Sequence, residues 1–334
     1  MTFGLFLEWF IKSLVVILAM TIGFAYVTWF ERRVLAKFQA RIGPNRAGKE
    51  GLLQPVADAL KLIFKEELVP ANADKLIFIL APVITMIPAL IITGVVPWGP
   101  PITLFGKTFT LSVSDINLGV LFILTVTSIS IYGITLAGWS SNNKYATMGG
   151  LRATAQMISY ELALGLAFIG PILIAGSMGI NDIVSAQQHV WFIVYQPLGA
   201  IIYFIAAIAE INRSPFDMPE AEQELTAGYH VEYSGMKFAL FFMAEYIKMI
   251  AICMIGASLF LGGYWGPGVA AYPWLGPLYL FIKVVILLFV LVWIRATLPR
   301  FRYDRLMAFG WKILFPLALL NVMVTALVIT LVGG

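Results

Sequence analysis

The chain has 334 residues, a formal net charge of +4, 60% hydrophobic and only 12% charged residues, and a mean hydropathy of +0.89. So few polar side chains cannot cover a globular surface in water, which excludes a soluble domain and points to an integral membrane protein. The small basic excess reads as topology rather than nucleic-acid affinity, and the lone Cys253 excludes an intrachain disulfide and a cysteine-ligated metal or iron–sulfur centre.

Eight apolar blocks are long enough to cross the roughly 30 Å hydrocarbon core. They lie near residues 9 to 30, 75 to 97, 117 to 138, 153 to 178, 190 to 210, 238 to 262, 276 to 296 and 311 to 332. The expected fold is therefore all-α, one polytopic membrane domain over residues 1 to 334. The first block has no basic region before it and WFERR after it, so it reads as a retained span and not a signal peptide. Between the first two blocks, GLLQPVADALKLIFKEEL places Leu53, Val56, Leu60, Ile63 and Phe64 at helical spacing, with Gln54, Asp58, Lys61 and Lys65 opposite. That spacing predicts an amphipathic helix near 52 to 67, begun at Pro55 and lying in the membrane interface or under a partner protein.

The loop from Glu31 to Lys75 holds nine Lys or Arg residues, and those at 139–152, 211–237 and 295–312 hold two, two and five; the intervening loops hold only Lys107. By the positive-inside rule these four loops face the cytoplasm and both termini lie outside.

Glu161, Glu245, Lys248 and Lys283 fall inside spans, where an ionisable group costs at least ~2.5 kcal/mol and usually faces a protein or water-lined interior. At 1.5 Å per residue, Glu161 lies roughly 14 Å past Arg152 and Glu245 roughly 12 Å past Lys237, while Glu210 closes the fifth span on the same side. The stretch AEINRSPFDMPEAEQEL, residues 209–225, adds Asp217, Glu220, Glu222 and Glu224, answered within it only by Arg213. Burial and mutual repulsion push such carboxyls toward the neutral form, which lets them take up and hand on protons. The alternative is structural: the acids pair with lysines or cap helices, and Lys248, three residues from Glu245 on one helical face, supports that reading. Lys283 has no obvious sequence neighbour and reads as a buried partner or a snorkelling residue. His189 and His230 lack neighbouring ligand types, so no metal site is expected. Neither a nucleotide-binding glycine motif nor a nucleophile elbow occurs.

Four segments carry a resemblance: ERRVLAKFQARIGPNRAGKEGLLQPVADALKLIFKEELVPANADK, AGWSSNNKYATMGGLRATAQMISYELALG, AEINRSPFDMPEAEQELTAGYHVEYSGMKFALFFMAEY and WIRATLPRFRYDRLMAFGWK. In order, from residue 31 to 312, they resemble those of the H-type membrane subunit of respiratory complex I, the NADH dehydrogenase subunit 1 family. The resemblance implies a bacterial cytoplasmic-membrane protein joining a peripheral electron-carrying arm to a proton-pumping arm of antiporter-like and small subunits. Quinone would be the substrate, reached from the membrane lipid. This chain would bind no cofactor of its own; flavin and iron–sulfur clusters would sit in partner subunits, one bearing the terminal cluster beside the quinone chamber. Position by position, Glu31, Arg32, Arg41, Asp58, Phe242 and Arg295 would line or support the quinone channel. Glu161, Glu210 and Glu245 would form a hydrated carboxylate path, and Arg213, Asp217, Glu220, Glu222 and Glu224 the loop facing the chamber.

Three other readings compete. A homologous subunit of a membrane-bound hydrogenase, formate hydrogenlyase or a ferredoxin- or F420-linked complex would share much of the pattern; the full basic segment around Arg41 and Glu245 in MAEY favour the quinone-reducing form. A secondary transporter or channel would show internal symmetry and paired broken helices, which the sequence does not display. A passive anchor would not bury Glu161 and Glu245.

Overall fold

A computed structural model describes residues 3–104, 107–217, 226 and 228–332. Its architecture is an all-α polytopic membrane fold. Seven of the described helices are long and apolar enough to cross a membrane, and an eighth apolar helix, Pro197–Glu210, is shorter.

The first helix, α1 (Phe3–Phe38), runs 36 residues, roughly 54 Å, and so carries Glu31, Arg32 and Arg33 well past its apolar stretch. A loop folds back through Gly51, whose φ of +76° and a would-be Cβ 2.3 Å from the Pro44 carbonyl oxygen leave no room for a side chain. It delivers α2 (Gln54–Ile63), ten residues with Pro55 in the first turn. The helix is shorter than the expected 52 to 67, stopping before the charged run Lys65, Glu66 and Glu67. Its apolar face is uncovered by this chain: Leu53, Val56, Leu60, Ile63 and Phe64 are all exposed.

Helix α3 (Lys75–Val95), capped by Asp74, packs on α4 (Gly119–Ser140). A Cβ at Gly133 would lie 2.1 Å from Thr85 Oγ1, so the two backbones meet almost directly, the usual device where lipid supplies no drive for helices to associate. Between them a two-stranded antiparallel ribbon, β1 (Ile102–Leu104) and β2 (Lys107–Phe109), sets Ile102 opposite Phe109. It is a loop ornament on an otherwise helical chain.

Helix α5 (Lys144–Ala175) spans roughly 48 Å, opened by Asn143 accepting from the Tyr145 N–H and closed by left-handed Gly176. The expected unbroken span at 190 to 210 is divided: after α6 (Ile180–Ala186) comes the single turn α7 (Phe192–Tyr195), then α8 (Pro197–Glu210). Pro197 has no N–H to donate, and Gln196 leaves the helical region at φ −133°, ψ 57°. The Gln196 side chain fills the break, donating to Thr325 Oγ1 at 2.6 Å and accepting from Asn321 at 3.3 Å.

Helix α9 (Gly235–Phe260) is the most enclosed of the seven long helices, with Ile247, Cys253, Ala257 and Phe260 wholly buried. Helix α10 (Leu275–Thr297) follows. The final column starts earlier than its expected 311: α11 (Tyr303–Phe309), a π turn over Gly310–Leu314, and α12 (Phe315–Val332). The turn abuts α5, where the Tyr160 hydroxyl donates to the Leu306 carbonyl at 2.9 Å and the Trp311 indole to Ser159 at 3.2 Å.

Candidate functional site

Two linked clusters occupy the end of the bundle where α1, α5, α8, α9 and α10 meet the charged loops. The first is built on Arg213. Helix α8 ends at Glu210, and Asn212, at φ +57°, turns the chain so that the Arg213 side chain enters the bundle. Its Nη1 donates to both Glu31 carboxylate oxygens, at 2.8 Å each. Its Nε faces Glu245 as an ion pair, and the guanidinium lies 4.3 Å from the centre of the Tyr246 ring. Arg295, from the end of α10, bonds the same Glu31 oxygen. One guanidinium thus clamps carboxylates from α1 and α9 that lie 182 and 32 positions away in sequence. Burial opposes the charge on Arg213, and Glu245 and Glu31 more than reverse it, so its pKa sits well above the ordinary guanidinium value.

Asp217 extends this cluster. It is 8% exposed; Arg300 Nη2 donates to its Oδ2 at 3.0 Å, while Oδ1 has no donor among the described residues. Burial, reinforced by Glu245 and offset in part by Arg300, lifts its pKa to about 6. A narrow crevice of about 10 Å³ lies beside the cluster, walled by Ile208, Ile211, Met249, Leu291 and Val292, with Arg213 and Arg295 as its charged groups.

The second cluster lies deeper. Lys248 Nζ donates to Ser130 Oγ at 2.6 Å and feels the charges of Glu210, Glu245 and Glu161. Ser128, half a turn away on α4, donates to Glu161. Glu210 is 2% exposed, with its Oε2 unpartnered among the described residues. The Lys248–Glu245 pairing that helical spacing suggests gives way to this arrangement: Arg213 takes Glu245, and Lys248 stands among the acids of three helices.

Of the expected channel residues, Glu31 and Arg295 thus sit in the Arg213 cluster. Phe242 stacks between Phe238 and Tyr246, ring centres 5.9 and 4.9 Å apart, and so backs the ring under Arg213. Arg32 and Asp58 pair with each other at 2.5 Å, both part-exposed, tying α1 to α2. Arg41 stands apart on the exposed loop, donating to Gln39. Glu220, Glu222 and Glu224 lie outside the described residues. Ser128, Ser130, Tyr246 and Arg300 carry no signal in the sequence; a hydroxyl one turn from an acid on a neighbouring span leaves no trace in spacing alone.

The chain matches the family model for NADH dehydrogenase over residues 11–326. It belongs to the NADH dehydrogenase family. Within that family it is 50% identical to the NADH-quinone oxidoreductase H subunit of Protochlamydia amoebophila, over 90% of this chain and 91% of the relative. The corresponding H subunit of Thermomicrobium roseum is 51% identical over 91% of each chain. NADH-quinone oxidoreductase subunit 8 of Thermus thermophilus is 50% identical, over 96% of this chain and 87% of its own. The clusters therefore belong to a family member matched along nearly its whole length.

Proposed function

We infer that this chain is the membrane subunit of a proton-translocating NADH:quinone oxidoreductase in the bacterial cytoplasmic membrane, where it forms part of the quinone chamber and passes the electrostatic effect of quinone reduction to buried carboxylates. The carrying observation is the Arg213 clamp: one cation that lines the apolar crevice and is shared by Glu31 and Glu245, the latter one helical turn from Lys248. Quinone reduction takes up two electrons and two protons and passes through anionic forms. Positive groups already aimed at the crevice stabilise those forms without reorganising. As Arg213 and Arg295 turn toward an anionic headgroup, they loosen their hold on Glu31 and Glu245. Glu245, Glu210 and Glu161 share Lys248, so a change at the first alters proton affinity at the other two. Flavin and iron–sulfur clusters in peripheral subunits would deliver the electrons, and antiporter-like and small membrane subunits would receive the coupling signal.

The test replaces Glu210 with glutamine in the assembled complex and measures quinone reduction and proton pumping together. Pumping is expected to fall further than electron transfer. Wild-type values for both would remove Glu210 from the mechanism.

A further inference from the structure

Gln156 lies on α5, five residues before Glu161, and is wholly buried. Its Nε2 donates two hydrogen bonds of 2.8 Å, one to the Ala209 carbonyl and one to the Phe216 carbonyl. Those residues stand immediately before Glu210 and Asp217. A single amide therefore fixes the backbone at the root of two buried acids, from a helix that carries the third. Among the described residues the contact is donor-only, since Gln156 Oε1 is buried without a partner there. The segment between the two carbonyls holds Arg213 and is otherwise fastened through Phe216, whose ring packs on Tyr160 and stacks on Phe301, and through the Phe301 N–H bonded to the Pro215 carbonyl.

We propose that Gln156 is a positioning residue for coupling, whose amide holds Glu210 and the Arg213–Asp217 segment in fixed relation to Glu161. Both bonds end on main-chain carbonyls, so a change in the carboxylates' charge leaves them intact. The segment can rearrange its side chains while its backbone stays tied to α5. The geometry also explains the residue type. A hydrophobic side chain of the same length would fill the space but leave the Phe216 carbonyl without a donor among the described residues and the Ala209 carbonyl with main-chain N–H donors only. A carboxylate would set negative charge against both carbonyls, and only its protonated form would restore one of the two donors.

This inference rests on the proposed coupling function, and Glu210→Gln measured in parallel separates the two. In the assembled complex, Gln156→Met is expected to lower quinone-linked proton pumping by about tenfold, the scale of one lost buried hydrogen bond. Fewer protons should move per electron, while electron transfer from NADH to a soluble acceptor stays unchanged. Gln156→Glu should recover pumping relative to wild type as pH falls, and Gln156→Met should not. Lower activity with an unchanged proton-to-electron ratio and no pH response in Gln156→Glu would reduce the contact to packing and overturn the proposal. Failure of both variants to assemble would overturn it equally. Glu210→Gln impaired with both Gln156 variants normal would sink this proposal alone, whereas Glu210→Gln at wild-type values would sink the function on which it rests.

Discussion

The two ends of the bundle hold cations in opposite ways. Where the loops meet α1 and α9, Arg213, Arg295 and Arg300 are matched by Glu31, Glu245 and Asp217, ion against ion. Near the far end of α9, Lys283 meets no acid among the described residues: its ammonium donates to the carbonyls of Leu261, Gly263 and Trp265 at 2.6 to 2.8 Å and lies 4.8 Å from the Trp191 ring centre. The main-chain dipoles of this cage cannot accept or lose a proton, so the groups around this ammonium keep one charge pattern. A network of ionisable groups has many protonation states of similar energy and changes when any member does. The first builds a fixed corner, the second a responsive one.

The contrast is broken most forcefully by Arg213→Met. Removing the shared cation leaves two carboxylates facing each other with only Arg295 between them, a loss of about 3–5 kcal/mol on the scale of broken buried pairs. Thermal unfolding of the purified complex should show a large fall in Tm, with quinone reduction abolished. Next comes Lys283→Met, which leaves three carbonyls without a donor and should cost about 3 kcal/mol. If the cage is structural only, Tm falls while the proton-to-electron ratio of surviving complex is unchanged; a shifted ratio would bring that end into the coupling machinery. The smallest effect belongs to Asp217→Asn. The raised pKa of about 6, against an ordinary 3.8, means that the neutral form is favoured by folding. Its stabilisation is complete below pH 3.8 and is lost as pH rises through 6, at most about 3 kcal/mol. Asparagine has no such loss, so the variant's Tm relative to wild type should climb between pH 4 and 7. A flat difference would place Asp217 outside the responsive network.

Much of this is legible from residues alone, because cost is legible. Glu161, Glu245 and Lys248 stand out in apolar spans that tolerate few charges, and the helices follow from span length. Partnership is harder to read. Helical proximity assigns Lys248 to Glu245, yet the structure awards Glu245 to Arg213, a residue that the chain places in a loop and the fold turns inward. Glu31 lies 182 positions from Arg213, and no local pattern links them. The break before Pro197 carries its signal openly, but the apolar run around it masks the proline. Gln156 is invisible for a different reason: a neutral amide in a span attracts no notice until the carbonyls it serves are in view.

The π turn at Gly310–Leu314 resets the phase of its column. In a regular helix, Leu306 and Leu314, eight residues apart, would point about 80° from one another. Both are nearly inaccessible, at 1% and 2% exposure. A π turn absorbs about one residue, so the eight count as roughly seven and the offset shrinks to about 20° in the other sense. The column's three segments therefore press one continuous seam against the bundle: Leu306 and Leu314 first, then Ala318, Asn321 and Thr325. A helical wheel drawn through residues 303–332 would smear that seam over a third of the circumference. The extra residue is a phase corrector, and it sits where Trp311 and Tyr160 brace the helix that carries Glu161.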